Sequence, residues 1–363
     1  MNKKLIALAI ASAFVAPAAM ADSGNVKISG QLHLSLDSIS GTGSSTTDNK
    51  RATNVSSNAS NIVFSGDEDL GNGLKALWQV QTYMTMGGTG NTDATNTDGL
   101  SNGQSYLGLG GGFGAVLLGK LEAPFKVVGR KVDLFGNQVG DTRNLISMSN
   151  ATGGSNLWDL RPQNTIAYAS PDMSGFKAVV AYSTNPLTAT AATDTSTTAT
   201  VVNGIYENGP LFAAAAYQQV KPNAGTAGET SAKAWRLAGS YSFGDAKLVA
   251  LYQNAKDQGM NGADDDRKVW GVGGSYKMDA NTIKLQYYKA GKFGNTDNSG
   301  ANMWAVGLDH SMSKRTTAYV AYATTKNDSA AAFSAMGGGH ADNPGTITGK
   351  NPNALSFGMI HSF

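Results

Sequence analysis

The feature that most constrains the fold is a two-residue alternation of apolar and polar side chains in short segments along the chain. In residues 26–37, Val26, Ile28, Leu32, Leu34 and Leu36 fall on one face and polar side chains occupy the other. Because successive side chains of a β-strand point to opposite faces, this period predicts a strand with one apolar face. The sequence therefore predicts an all-β chain of sixteen strands, at residues 26–37, 60–66, 74–84, 104–109, 115–120, 163–170, 176–183, 200–207, 211–220, 233–243, 246–253, 268–278, 282–289, 302–312, 316–326 and 353–363.

The connectors between these segments alternate in length. Short connectors contain residues that favour tight turns, such as Gly, Pro, Asn, Asp or Ser. They fall at 67–73, 110–114, 171–175, 208–210, 244–245, 279–281 and 313–315. Long polar stretches lie between them, such as 38–59, 85–103, 186–199 and 328–352. This alternation is typical of an antiparallel up-and-down β-barrel that spans an outer membrane, whereas a soluble sandwich gives no reason for it.

The N-terminal residues indicate the compartment. Lys3 and Lys4 precede an apolar run at 5–17, and Ala19-Met20-Ala21 has the small-residue spacing of a cleavage site. The run is shorter than the ~20 residues of a transmembrane helix, so residues 1–21 are predicted to be a removed signal peptide and 22–363 the mature barrel. Its removal takes two lysines from 28 basic residues and leaves 26 against 26 acidic ones. A neutral mature chain predicts no nucleic-acid partner, and without cysteine it has no disulfide framework.

One connector, residues 121–161, is far longer than the others of its kind. It has about forty residues against a usual ~4 to 6, and it carries charge of both signs. We expect it to fold into the barrel and narrow a pore. The residues predicted to form this constriction are Glu122, Lys126, Arg130, Lys131, Asp133, Asp141 and Arg143, with Asp159 and Arg161 closing the segment.

Four stretches carry a resemblance to a known family. They are FSGDEDLGNGLKA at 64–76, EAPFK at 122–126 through DLFG at 133–136, SKRTTAY at 313–319, and the closing strand that ends on Phe363. Together they resemble the Gram-negative trimeric porins, especially the general porins of β-proteobacteria. The resemblance implies a homotrimer in contact with outer-membrane lipid and lipopolysaccharide, an inward-folded third loop, and insertion by machinery that reads Phe363. Lys120 stands where the family often has arginine, so the family's basic eyelet cluster cannot be carried over unchanged.

The expected function is a water-filled channel for passive diffusion of ions and small hydrophilic solutes. Strand parity places six basic side chains on the lumen wall against three acidic ones, and such an excess predicts a moderate preference for anions. Arg130, Lys131 and Arg143 are the best loop candidates. The wall residues are Lys27, Lys75, Lys177, Arg236, Lys247 and Lys284 against Asp37, Glu207 and Asp309, with Lys75 and Arg236 the best candidates. Two alternatives stay open: a substrate-selective porin, and a structural or adhesive barrel with a plugged lumen.

Other signals in the sequence predict no enzyme and no cofactor. GGGFGA at 110–115 matches a dinucleotide fingerprint, but a strand follows it where the fingerprint requires a helix. His33, His310, His340 and His361 show no metal spacing. The acidic run Asp264, Asp265 and Asp266 could bind a hard cation, although a solvated loop is the simpler interpretation.

Overall fold

The computed structural model describes residues 26–42, 50–87, 100–147, 157–186, 197–222, 230–260, 265–340 and 346–363. The predicted signal peptide lies outside these residues. Within them the chain forms seventeen strands and two short helices. The strands are β1 (Lys27–Thr42), β2 (Lys50–Ser57), β3 (Asn61–Gly71), β4 (Leu74–Tyr83), β5 (Ser105–Gly111), β6 (Gly114–Lys120), β7 (Thr165–Ala169), β8 (Phe176–Thr184), β9 (Thr198–Asn208), β10 (Leu211–Lys221), β11 (Ala232–Phe243), β12 (Ala246–Lys256), β13 (Arg267–Met278), β14 (Asn281–Ala290), β15 (Ala301–Ser311), β16 (Thr316–Asn327) and β17 (Asn353–Ser362); the helices are α1 (Pro124–Arg130) and α2 (Arg143–Ile146).

The strands form one closed antiparallel sheet. Apart from β2 and β3, which follow one another along the same edge of β1, each strand pairs with its neighbours in sequence, and β17 pairs with β1 from Gln31 opposite Ser362 to Ser40 opposite Asn353. β2 and β3 both pair with β1 and are two halves of one stave, interrupted at residues 58–60. The described strands therefore make sixteen staves, which confirms the predicted barrel. Closure satisfies the backbone groups that an open sheet edge would leave unpaired in hydrocarbon.

The predicted bounds of the first long connector are wrong. Residues 38–59 were expected to be a loop, but β1 continues to Thr42 and β2 begins at Lys50, with Asp37 to Ile39 paired to residues 52–54. This segment is rich in Ser, Thr and Asn and has no apolar alternation. Backbone hydrogen bonds hold it in the sheet, and the side-chain pattern gives no sign of them.

The outer face of the barrel is an apolar belt. Its exposed side chains include Leu36, Leu107, Leu118, Leu248 and Phe357. Aromatic side chains on neighbouring strands also pack together there; the pairs are Trp235 with Tyr252, Trp270 with Tyr287, and Trp304 with Tyr322, with ring centroids 5.0 to 5.6 Å apart. Rings of this kind favour the membrane–water interface. Among the described residues, no helix has the length and apolar character needed to cross a membrane.

Candidate pore constriction

The described parts of the long connector leave the wall and return to it at one place. The backbone N–H of Leu121 donates to Pro162 O at 3.2 Å, and that of Ala123 donates to Leu160 O at 3.2 Å. The excursion between these points carries α1 and α2. We call residues 121–161 the inner loop; its residues 148–156 lie outside the described part of the chain.

The first half of the inner loop packs against the inner wall of β8 to β11. Phe125 and Val128 of α1 are fully buried there. The wall makes room for them with small side chains, among them Ala181, Ala199, Ala214, Ala216 and Ala234. Asn203 donates from Nδ2 to Pro124 O at 2.9 Å, and Arg236 donates from Nη1 to Phe125 O at 2.9 Å. The α1 segment therefore lies inside the barrel.

The middle of the inner loop reaches another part of the wall. Phe135 and Val139 are buried in a second apolar cluster with Ala305, Ala321 and Ala323 of β15 and β16. Gln286 of β14 donates to Gly140 O at 2.7 Å. Lys284 donates to Gln138 Oε1 at 2.9 Å and lies over the Phe135 ring, 4.6 Å from its centroid. The inner loop thus contacts the wall from β8 round to β16.

A chain of alternating charges runs through the inner loop. At its centre, Arg143 donates from Nε to Asp141 Oδ1 at 3.0 Å and from Nη2 to Asp141 Oδ2 at 2.7 Å. Successive ion pairs of 2.7 to 3.5 Å link Arg161, Glu122, Lys126, Asp159, Arg143, Asp141 and Arg130 in that order. The chain holds four basic and three acidic side chains. Planar, two-point pairing of arginine with carboxylate gives it a fixed geometry.

Exposure separates the predicted loop residues into two groups. Arg143 and Lys126 are only 2% and 3% exposed, so their charges hold the inner loop together rather than face water. Arg130 and Lys131 remain 23% and 26% exposed, whereas Asp141, the partner of Arg130, is fully buried. The exposed charge of the Arg130 pair is therefore positive, whereas Glu207, the partner of Lys131, is 37% exposed.

Asp133 lies beside this chain and accepts backbone hydrogen bonds from Phe135 at 3.0 Å and Thr142 at 3.3 Å. Desolvation raises the pKa of Asp133, and the nearby Asp141 carboxylate raises it further, while Arg130 opposes the shift. A raised pKa favours the neutral acid, which adds no negative charge near Arg130.

Most of the six predicted wall residues have acidic neighbours. Lys75 pairs with Asp67, Lys177 with Asp172 at 3.3 Å, and Lys284 with Asp309 at 2.9 Å. Lys247 lies near Lys131 and Glu207, which pair at 2.9 Å. Arg236 is buried beneath α1, and Lys27 is exposed at the start of β1. In each of the four ion pairs the acid is the more exposed partner, so a count of wall cations overstates the positive field.

Asp172 lies in the turn before β8. The backbone N–H of Gly175 donates to Asp172 Oδ1 at 2.7 Å and lowers the pKa of this carboxyl, and the Lys177 ammonium lowers it further. Its charge is therefore held at neutral pH. Asp67 and Asp172 fall in predicted turns, so the sequence did not predict them as lumen acids.

The last long connector also turns inward, which the sequence analysis missed. Residues 328–340, which follow β16, are called the strap. Gly140 donates to Ala335 O at 2.8 Å, and Val139 pairs with Met336 in an isolated β-bridge. Ser334 N donates to Asn144 Oδ1 at 3.0 Å. Residues 328–352 were expected to be an outer loop, and the run of small residues Ala330 to Ala332 and Gly337 to Gly339 was the only sign of close packing.

The described residues contain no group of three or more His, Cys, Asp or Glu side chains placed to hold a metal ion. Asp265 and Asp266 accept hydrogen bonds from the backbone of Gly259 and Asp257 at 3.0 and 3.3 Å. Asp264 lies outside the described part. These contacts explain the two described acids as a local loop structure.

Comparisons with known proteins agree with this architecture. A sequence model described as Gram-negative porin matches residues 7–330. The chain is 35% identical over 186 residues to the major outer membrane protein P.IB of Neisseria gonorrhoeae, covering 50% of this chain and 48% of that protein. It is 32% identical over 185 residues to P.IB of Neisseria lactamica, covering 50% of each. The chain spans about half the length of the curated relatives it matches.

Among solved structures, an anion-selective porin from Comamonas acidovorans superposes with a TM-score of 0.76 at 26% identity. The match covers 93% of this chain and 99% of that one. OmpT of Vibrio cholerae superposes with a TM-score of 0.66 at 15% identity, covering 96% and 100%. At that identity the second likeness shows the fold alone.

Proposed function

Because this chain belongs to the Gram-negative porin family, we propose that it forms a water-filled channel for passive diffusion of ions and small hydrophilic solutes, with a moderate preference for anions. The chain is an outer-membrane β-barrel. Porins are channels, and membership of the family therefore confirms that no enzymatic activity is to be expected. The observation that carries the proposal is a closed barrel with an apolar outer face and a charged inner loop.

The anion preference rests on the inner loop rather than on the wall. Arg130 keeps part of its side chain accessible while its partner Asp141 is buried, and Lys131 and Lys247 lie near one shared acid, Glu207. Within a low-dielectric wall an excess of fixed positive charge concentrates anions and repels cations. The likeness to a porin named as anion-selective supports the same sign.

The test is the zero-current potential of purified protein in a planar bilayer under a KCl gradient. We expect stepwise ohmic conductance and a potential of the sign that chloride permeability produces. A cation-selective sign would refute the anion preference, and a silent membrane would refute the channel in favour of a plugged structural barrel. Block of the current by one solute at low concentration would favour a substrate-selective porin.

The assembly state and partners are further parts of the proposal. We expect a homotrimer that contacts lipid and lipopolysaccharide, so that conductance steps come in multiples of three. Phe363 is the proposed signal for the insertion machinery. Its N–H donates to Gly30 O at 3.1 Å, and a Cβ at Gly30 would lie 2.7 Å from its ring. Deletion of Phe363 should lower the yield of heat-modifiable trimer, and an unchanged yield would exclude this role.

A further inference from the structure

The strap lies directly over the acidic side chains of the inner loop. At Gly337 a Cβ would lie 2.7 Å from Asp141 Oδ1, and at Gly338 it would lie 3.5 Å from Asp159 Oδ2. At Gly339, which has φ +91°, a Cβ would overlap Asn137 Oδ1. Gly337 therefore brings bare backbone against the Asp141 carboxylate and Gly339 against the Asn137 amide, where a Cβ would be too close, whereas a Cβ at Gly338 would be at ordinary contact distance.

The end of the strap covers a third acid on the barrel wall. His340 Nε2 lies 3.1 Å from Asp37 Oδ2, and both side chains are fully buried. His340 also forms an isolated β-bridge with Asn58, at the break between β2 and β3. Ser356 of β17, directly opposite Asp37 in the sheet, is buried as well. The strap thus joins the inner loop to β1 and to the stave formed by β2 and β3.

The strap itself carries little charge. Between Asp328 and His340 its sequence is SAAAFSAMGGG, which has no ionisable side chain. Below it Asp37 and Asp141 are fully buried and Asp159 is nearly so, while Arg130, which pairs with Asp141, stays partly accessible. A neutral segment therefore covers these three acids together with a single base, Arg143, and leaves Arg130 accessible.

We propose that the strap is a selectivity-determining element that shields Asp37, Asp141 and Asp159 from the permeation path and so keeps the field at the inner loop positive. This inference rests on the proposed channel function. Carboxylates under Ala and Gly backbone are separated from passing ions, whereas the same carboxylates facing water would attract cations. Loss of the strap should therefore shift the ion preference of the pore toward cations, in addition to any increase in pore width.

The first experiment displaces the strap with two variants that change no charge. Gly337→Gln places a side chain against Asp141, and Met336→Asn puts a polar group into the buried contact with Val139. Gly112→Gln is the matched control, because nothing lies within 4 Å of a Cβ at that turn. We expect the chloride-to-potassium permeability ratio to fall roughly twofold or more in both strap variants and to stay unchanged in the control.

A double-mutant comparison separates shielding from general loosening. Asp37→Asn keeps an acceptor for His340 and removes one negative charge. In the parent we expect it to alter the permeability ratio little, because the carboxylate is shielded. Combined with Met336→Asn it should recover part of the lost anion preference. Equal effects of Asp37→Asn in both backgrounds would overturn the proposal.

Thiol accessibility gives a readout that does not depend on ion selectivity. The chain has no cysteine, so a single introduced thiol reports alone. Ser356→Cys should be protected from a cationic methanethiosulfonate reagent in the parent and become reactive when Met336→Asn is added. Ser311→Cys, at an exposed position on β15, is the reactive control.

The outcomes distinguish the inference from the channel function. A larger conductance at an unchanged permeability ratio in both strap variants would refute shielding while leaving the channel intact. Rapid labelling of Ser356→Cys in the parent would also refute it. A cation-selective parent would overturn the anion preference of the proposed function, yet a further shift toward cations in the strap variants would still support the strap.

Discussion

The two sides of the barrel interior differ in what covers them. On β8 to β14 the inward side chains are largely alanine, valine and leucine, such as Ala181, Val201, Ala234 and Leu251, and they are buried under the inner loop. On β3 and β4 the inward side chains are mainly polar, and Asn61 is the only buried residue of these two strands. We call these the covered wall and the open wall. The difference shows that an inward-facing residue is apolar where the inner loop covers it and polar where it faces water. Its position in the strand alternation does not by itself decide its polarity.

A charge introduced on the covered wall should reduce folding more than any of the other substitutions reduces stability or selectivity. Leu251→Asp places a carboxylate in the cluster under the inner loop, where a buried charge without a partner costs about 3 to 5 kcal/mol. We expect a large loss of folded, heat-modifiable protein in the outer membrane. Gln79→Asp on the open wall is the matched control and should fold normally. Equal yields of the two variants would contradict the distinction between the walls.

Removal of Arg236 should loosen α1 without removing charge from the pore. Arg236 donates to Phe125 O and to Gln253 Oε1 at 2.9 Å each, and a hydrogen bond from a charged group contributes roughly 1.5 to 3 kcal/mol. Arg236→Met should therefore lower thermal stability and make the single-channel current noisier. The permeability ratio should stay the same because the guanidinium is buried. A clear drop in anion preference would instead place Arg236 on the permeation path.

The exposed loop cations should have a moderate effect of a different kind. Arg130→Ala combined with Lys131→Ala should lower the chloride-to-potassium permeability ratio by roughly twofold, with little loss of stability. The effect should be larger at low salt, because charges are screened beyond ~10 Å at 0.1 M. Lys75→Ala, whose partner Asp67 is at the rim, is the control with a smaller effect. A larger effect from Lys75→Ala than from the loop double variant would show that the wall, and not the inner loop, determines ion selectivity.

The smallest expected effect is a pH dependence of ion preference. The raised pKa of Asp133 means that this group loses its charge earlier than an ordinary carboxyl when the pH falls. Anion preference should therefore increase as the pH is lowered through that raised pKa. Asp133→Asn should abolish this part of the pH dependence and hold the higher preference throughout. A pH profile unaffected by the substitution would assign the change to other groups.

The sixteen staves and the alternation of connectors could be predicted because lipid on one side imposes a two-residue period. That period ends where lipid ends, so the continuation of β1 to Thr42 and the existence of β2 were missed. The inward parity of the wall lysines stays a prediction. The ion pair between Lys131 of the inner loop and Glu207 of the wall could not be predicted, because it joins residues 76 apart and depends on how the inner loop folds.

The inner loop illustrates the same limit within the candidate site. Its length and mixed charge predicted an unusual segment, but Arg143 and Arg130 look equivalent in sequence. Only the fold buries the first and leaves the second accessible. The inward position of the strap was harder still to predict, because its alanines and glycines are typical of a low-complexity loop.

The most direct test of the account is cysteine scanning of the two walls during current recording. Ser65→Cys and Gln79→Cys, which face each other on β3 and β4, should react with a water-soluble thiol reagent and reduce the open-channel current. Ala181→Cys and Ala216→Cys on the covered wall should leave the current unchanged. The account would be contradicted if the reagent reduced the current through the covered-wall cysteines and left the current through the open-wall cysteines unchanged. That result would place the water-filled path beneath the inner loop.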